Sequence, residues 1–168
     1  STTTTGTNYT FYSNYSTGGD VVNNTFHSNA TGGGNYASYI YNTSGAMKFK
    51  NNIVSKTSTN GYAYYIYNSS YVESDYNNIY SPGNNLFYQV TPSANTNSLQ
   101  SWRITTARDK NSLSYAPGFV DMLNNDFRID PASPGAWAVN GRGVHIAGDT
   151  LDITGAPRAK TPTVGVPD

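Results

Sequence analysis

The sequence has no cysteine, so disulfides, thiol nucleophiles and Cys-ligated metals are all excluded. Charge is nearly as scarce. Only 12% of the residues are Asp, Glu, Lys or Arg, Glu73 is the single glutamate, and the formal net charge is zero. Basic residues spread this thinly do not make the electrostatic footprint that nucleic acid demands. No apolar run approaches the ~20 residues of a membrane-spanning helix, and no signal-peptide pattern is present. Strong helix formers are few, which excludes a helical bundle. What remains is rich in Tyr (15), Gly (16) and Pro (8), with Asn, Ser and Thr making up about a third of the 168 residues. A disordered chain would lack the aromatics and carry a net charge. The composition instead predicts one folded, polar-coated β domain, with Tyr and Thr in strands and Gly, Pro and Asn in turns. The Asn/Ser/Thr/Tyr/Gly bias points to an extracellular or bacterial cell-surface location. The start at Ser1 rather than Met reads as a mature protein or an excised piece.

Self-similarity is the strongest signal. Asn23-Asn24-Thr25-Phe26, Asn51-Asn52-Ile53-Val54 and Asn77-Asn78-Ile79-Tyr80 share one pattern at spacings of 28 and 26. Tyr36-Ala37-Ser38-Tyr39-Ile40-Tyr41-Asn42 aligns with Tyr62-Ala63-Tyr64-Tyr65-Ile66-Tyr67-Asn68, again 26 apart. A unit this short, with alternating runs and no room for a helix, is what one coil of a parallel β-helix requires. Successive coils would pair each strand with its copy one turn later, roughly 4.8 Å away. The equivalent Asn24, Asn52 and Asn78 are then expected to form a side-chain amide ladder. Residues 1–8 read as a leader or the end of a preceding coil. Residues 9–92 read as coils, and residues 93–168 as a last coil and an irregular cap of the same domain.

After Pro92 the repeat fades. Ser98-Leu99-Gln100-Ser101-Trp102 predicts a helical turn with Ser98 as its N-cap. Then come Arg108-Asp109-Lys110-Asn111-Ser112-Leu113, Pro117-Gly118-Phe119-Val120-Asp121, Asp126-Phe127-Arg128-Ile129, Ser133-Pro134 and Asp152-Ile153-Thr154-Gly155-Ala156-Pro157-Arg158. This order of motifs, over roughly residues 72–165, resembles the C-terminal part of secreted bacterial right-handed parallel β-helix proteins of the pectate-lyase-like superfamily. It departs at the end, where Gly165-Val166-Pro167-Asp168 stands in place of the usual Gly-Ala-Asp/Tyr-Glu. The resemblance implies an all-β, right-handed solenoid and a segment of a larger surface protein. It does not fix an activity, because that scaffold serves lyases, hydrolases, adhesins and surface proteins alike.

Catalytic chemistry finds little support in the coils. Enzymes of that superfamily use carboxylate clusters, either to hold Ca²⁺ or for acid/base work. Residues 1–100 supply only Asp20, Glu73 and Asp75, with Lys48, Lys50 and Lys56 as bases. Glu73 and Asp75 share a strand face. A 26-residue offset aligns them with Met47 and Phe49, which predicts an inward or bend-capping Asp75. It also puts Lys48 and Lys50 on the opposite parity, awkward for ion pairing. Asp109, Asp121, Asp126, Asp130, Asp149 and Asp152 sit in turn-like contexts and read as caps. Arg108, Arg128, Arg142 and Arg158 could pair with them. A Ca²⁺ site is the lesser reading of these carboxylates; Gly32-Gly33-Gly34 lacks the Asp of a calcium-binding repeat, and no cofactor or metal ligand is assigned. His27 and His145 read as surface or turn residues, and Gly141-Arg142-Gly143 is too short for a phosphate loop.

Tyrosine offers the one binding chemistry. Tyr39, Tyr41, Tyr65 and Tyr67 fall at coil-equivalent positions of one parity, which predicts an aromatic ladder. Facing outward it could contact a polysaccharide or cell-surface glycan. As a structural ladder it would support the strands without a ligand. Asn8, Asn14, Asn23, Asn29, Asn42 and Asn68 open sequons, and Asp149-Thr150-Leu151 fits a bacterial O-glycosylation pattern at Thr150. The leading expectation is a non-catalytic structural or adhesive segment. The alternatives are a piece of a polysaccharide lyase or hydrolase whose catalytic coils lie upstream, and a filament subunit that self-associates through open coils.

Overall fold

The computed structural model describes residues 6–32, 34–83, 85–89, 94–152, 154–158 and 160. The Thr2–Thr5 leader, Pro92, and the chain ending with Gly165 and Asp168 lie outside them. The fold is mostly strand, arranged in parallel sheets. Strands β1 (Asn8–Asn14), β4 (Asn35–Tyr41), β7 (Tyr62–Tyr67) and β10 (Phe87–Gln89) pair in parallel in that order. Strands β2 (Gly19–Val22), β5 (Met47–Lys50) and β8 (Val72–Asp75) form a second parallel sheet. Strands β3 (Thr25–Ser28), β6 (Ile53–Lys56) and β9 (Asn78–Tyr80) form a third. Every third strand therefore returns to the same sheet, one repeat unit further along the stack.

Asparagine makes the corners possible. Between the second and third sheets Asn23 and Asn51 take left-handed backbone conformations, with φ of 58° and 57°, and Asn42 and Asn68 do so after β4 and β7. Asn tolerates this region better than other residues with a Cβ. The residues after the second-to-third-sheet corners, Asn24, Asn52 and Asn77, join one ladder, and the last two are buried. Asn52 Oδ1 accepts the Asn24 backbone N–H at 3.0 Å, and Asn77 Oδ1 accepts that of Asn52 at 2.9 Å. Ser112 Oγ ends the series by accepting the Asn77 N–H at 2.9 Å. The ladder thus runs Asn24–Asn52–Asn77, and Asn78 is not a rung. Turn length shrinks between coils: the first step spans 28 residues and the second 25. That slip places Tyr76 at the third corner, with φ 57°, and Asn78 inside β9 opposite Ile53. Asn78 instead clasps the backbone of Tyr115 with both ends of its amide. Asn52→Ala should cost about 1–3 kcal/mol in urea denaturation, because a buried acceptor and two donors vanish from the middle of the ladder.

The same slip corrects the strand of Glu73 and Asp75. Lys48 pairs in register with Glu73, Phe49 with Ser74 and Lys50 with Asp75. Glu73 is exposed, and Lys50 Nζ lies 2.5 Å from its carboxylate. Lysines and carboxylates therefore share a parity, contrary to the 26-residue alignment. Asp75 is half-buried and caps, accepting the backbone N–H groups of Tyr76 and Asn111.

Ala37, Ile40, Phe49, Val54, Ala63, Ile66, Ile79 and Phe87 line an interior between the three sheets and are fully buried. Coils approach so closely that a Cβ on Gly45 would lie 1.6 Å from the Thr17 carbonyl oxygen. The C-terminal end of the stack is covered. A short strand β11 (Ala94–Thr96) pairs antiparallel to β10. Helix α1 (Leu99–Thr106), N-capped by Ser98 as its sequence predicts, then lays Trp102 against Phe87 with ring centroids 4.9 Å apart. Beyond α1 the stack continues for a few residues, and Leu113 bridges to Asn78 in parallel. At the other end β1, β2 and β3 have no further strand beside them among the described residues, and Phe11, Val21 and Phe26 are only partly buried.

From Tyr115 the chain turns back along the stack as a strap. Strands β12 (Phe119–Asp121) and β13 (Asp126–Ile129) form a hairpin whose Phe119 and Phe127 pack on His27. Asn51 then holds Val144 by both its backbone N–H and its carbonyl, and Asn23 bonds Asp149. The first Asn of each of these two doublets therefore ties down the strap, and the second builds the ladder.

Candidate functional site

The outer surface of the first sheet is a tyrosine face. In β4 the inward residues are Ala37, Ser38 and Ile40, and Tyr36, Tyr39 and Tyr41 stand outward, half-buried. β7 repeats this with Ala63, Tyr64 and Ile66 inside and Tyr62, Tyr65 and Tyr67 outside. Two consecutive inward residues break the strict alternation, so Tyr36 and Tyr62 join Tyr39 and Tyr65 on one face despite opposite parity.

Registration of the strands turns these residues into rows. Tyr12, Tyr39, Tyr65 and Tyr88 form the central row. The Tyr39 and Tyr65 centroids are 4.6 Å apart with planes 8° from parallel, and Tyr65 and Tyr88 are 4.6 Å apart. Tyr9, Tyr36 and Tyr62 form a second row at 5.3 and 6.0 Å. Tyr41 and Tyr67 stack at 4.5 Å, with Tyr15 edge-on to Tyr41. Between the first two rows the rings meet edge to face, as Tyr36 and Tyr39 do at 5.0 Å and 74°. An exposed amide pair, Asn42 with Asn68 at 3.0 Å, bounds the face on one side, and at the other Asn8 bonds the buried Asn35 at 3.0 Å.

This packing decides what the face can touch. Rings stacked along the coil axis spend their π-faces on one another. They present edges and phenol hydroxyls to solvent, and open ring faces remain only at row ends. Burial and neighbouring phenols push the Tyr65 hydroxyl up to about 12 and raise those of Tyr36, Tyr39 and Tyr62 as well. The face therefore stays uncharged at neutral pH. Sequence periodicity selects Tyr39, Tyr41, Tyr65 and Tyr67 and misses Tyr9, Tyr12, Tyr15, Tyr36, Tyr62 and Tyr88. The recurrence of Tyr9, Tyr36 and Tyr62 at coil spacing is the signal that could have found one missing row.

Many of the carboxylates elsewhere among the described residues are engaged structurally. Asp20 pairs with Lys48 at 3.5 Å and Asp126 with Arg128 at 2.6 Å. Asp121, Asp130 and Asp152 cap turns through the backbone N–H groups of Leu123, Ala132 and Thr154. Asp109 departs from its turn-like sequence context because it is buried. Its carboxylate accepts from Trp102 Nε1 and Ser74 Oγ at 2.9 Å, Ser112 Oγ at 2.6 Å and Asn77 Nδ2 at 3.3 Å. His27 is not a turn residue but lies in β3, half-buried, with Nδ1 2.7 Å from Ser55 Oγ. Lys56 is the surprise. It points inward from β6, is 1% exposed, and donates to the backbone carbonyls of Asn35 and Asn60 at 3.0 and 2.5 Å. Burial pushes its ammonium down to about 8. Thr150 is exposed on the strap. Among the described residues no group of three or more His, Cys, Asp or Glu is placed to hold a metal ion, and no helix is long and apolar enough to cross a membrane.

No family model, curated protein or solved structure matches the chain.

Proposed function

We propose that the chain is a non-catalytic adhesive or structural segment of a larger secreted or cell-surface bacterial protein, folded as a right-handed parallel β-helix, whose tyrosine face contacts a polysaccharide. Crossovers between parallel strands of one sheet are right-handed in about 98% of cases, which favours that hand for the β1–β4–β7–β10 path. The order of motifs after Pro92 favours the pectate-lyase-like kinship.

One observation carries the functional reading. Three registered rows of tyrosines form a continuous uncharged surface, flanked by the Asn42–Asn68 amide pair, on one side of the stack. Ring edges and phenol hydroxyls suit a polymer dense in hydroxyl groups, and the rows run along the stack as an extended chain would. The coil carboxylates are each taken by a lysine or a cap, which weighs against a catalytic use of these coils. Covering of the last coil by β11 and by α1, whose Trp102 packs on Phe87, also weighs against an end-to-end filament.

A polysaccharide microarray probed with the purified chain tests the proposal. Binding to one or a few neutral polymers is expected, little changed by salt because no ion pair contributes. The Tyr41→Ala/Tyr67→Ala variant should lose at least tenfold in signal while keeping its far-ultraviolet spectrum. Silence across the array, or undiminished binding by the variant, would overturn the reading.

A further inference from the structure

A half-open cleft of about 200 Å³ lies between the strap and the corner that joins the second and third sheets. It is remote from the first sheet and its tyrosines in the fold's plan, and nothing in the proposed adhesive role uses it. Asn24 and Asn52 of the amide ladder contribute to one wall, and Arg142, His145, Asp149 and Arg158 to the other.

Its chemistry is unbalanced. Arg142 donates Nε to the Trp137 carbonyl at 3.1 Å and lies over the Trp137 ring at 5.0 Å. Arg158 donates Nε to the Leu151 carbonyl at 3.0 Å. Among the described residues the terminal guanidinium nitrogens of both arginines bond to nothing, and the His145 ring has no partner either. The single carboxylate, Asp149, is already engaged by Asn23 and lies 3.6 Å from Arg158 Nε. Two guanidinium groups thus line a half-open cleft that holds one carboxylate, itself already engaged. An unused fork of this kind matches a carboxylate or phosphate, which accepts two parallel N–H bonds. On the ladder wall both Asn24 amide hydrogens are donated, to Val22 and Asn52. Its oxygen is left to accept a hydroxyl. The volume falls below the ~300–1,000 Å³ of sites for drug-sized molecules, so the occupant is a single ring or a short chain.

We infer that this cleft binds a small hydroxylated anion, its carboxylate or phosphate held between Arg142 and Arg158 and a hydroxyl donated to Asn24. The strap supplies the cationic side and the coils supply the amides, so the site exists only when the C-terminal segment is docked.

Tryptophan fluorescence reads it directly. Trp102 is fully buried and Trp137 is 40% exposed beneath Arg142, so an anion drawn to Arg142 alters Trp137 emission. The full chain is titrated with gluconate, glucose 6-phosphate and uncharged glucose at matched ionic strength. A saturable change with at least one anion, absent with glucose and weakened by added salt, is expected. Response to only one of the two anions identifies the group preferred. Arg158→Gln leaves the Arg142–Trp137 contact in place and should weaken the response at least tenfold. Asn24→Asp, which sets a negative charge beside the ligand, should weaken it similarly. No saturable change with either anion, an equal response to glucose, or a response that survives in Arg158→Gln would overturn the inference. None of these outcomes bears on the tyrosine face.

Discussion

Asp109→Ala is expected to lower stability by about 3–5 kcal/mol, because several buried donors lose their acceptor at once. The side chain is 1% exposed and accepts four side-chain hydrogen bonds from three parts of the molecule. Ser74 and Asn77 belong to the last full coil, Trp102 to α1, and Ser112 to the segment that continues the stack. Truncation leaves the buried indole N–H without its acceptor and takes from the Ser74 and Ser112 hydroxyls theirs, at about 1–3 kcal/mol each, while the Asn77 amide keeps the Phe49 carbonyl and Ser74 Oγ. The helix would keep Arg103 on the backbone carbonyls of residue 109 and Ser112, but Trp102 would lose its polar contact and remain packed on Phe87 and Tyr64. Asp75→Ala, at a half-buried cap, should cost about 1 kcal/mol. Urea denaturation of both variants checks the ranking, and equal losses would contradict it. The pH dependence carries a sign. Burial raises the Asp109 pKa against the opposing pull of its four donors. Between the ordinary value and the raised native one the native state holds a proton that the unfolded chain has released, so this contribution is full at low pH and fades as pH rises through the native value. Asp121, Asp126 and Asp152, all lowered by hydrogen bonds, act the other way and lose their contribution as pH falls.

Alkaline stabilisation is the second large effect. The Lys56 ammonium is held down to about 8 against an ordinary 10.5. Between those values the unfolded chain binds a proton that the native state does not, so stability rises with pH across that window. At about 1.4 kcal/mol per unit, the rise from pH 8 to 9.5 amounts to about 2 kcal/mol. Lys56→Met should flatten it. Above pH 10 the trend must reverse. Unfolding releases phenols whose native pKa values are raised, that of Tyr65 to about 12 from 10.0, and the unfolded chain then sheds protons that the native state keeps. A stability maximum near pH 10 in the wild type, and none in Lys56→Met, can be read from denaturation midpoints. A flat wild-type profile from pH 8 to 9.5 would mean that Lys56 keeps its proton in the native state.

The sequence makes the stack legible because its cause is periodic. Asn doublets mark the corners, where left-handed backbone is needed, and the tyrosine pairs 26 apart are strand partners in the structure. What defeats the reading is a change in turn length. Asp75-Tyr76-Asn77-Asn78 offers an Asn doublet one residue late, so Asn78 imitates a rung that Asn77 supplies, and the same slip hides the Lys50–Glu73 pair. Tyr36 and Tyr62 escape because two inward residues in a row break the alternation on which a face is read. Lys56 follows inward Val54 at a spacing of two, and only the expectation that lysine faces water hides it. Asp109 and the strap are different. Contacts such as Asn51 with Val144, 93 residues apart, follow no period, and local sequence carries no trace of what the chain folds back upon.

Tyrosine nitration, mapped by peptide mass with and without the polysaccharide selected on the array, tests most directly that the ladder faces outward and is the contact surface. In the free chain Tyr12 and Tyr71, 49% and 60% exposed, should react early, and Tyr64, fully buried, should not react. Adding the polymer should protect Tyr9, Tyr12 and Tyr15 and leave Tyr71, which stands outside the face, as reactive as before. Nitration of Tyr64 ahead of Tyr12, or protection of Tyr71 while Tyr12 stays reactive, would contradict the placement of the face and its role together.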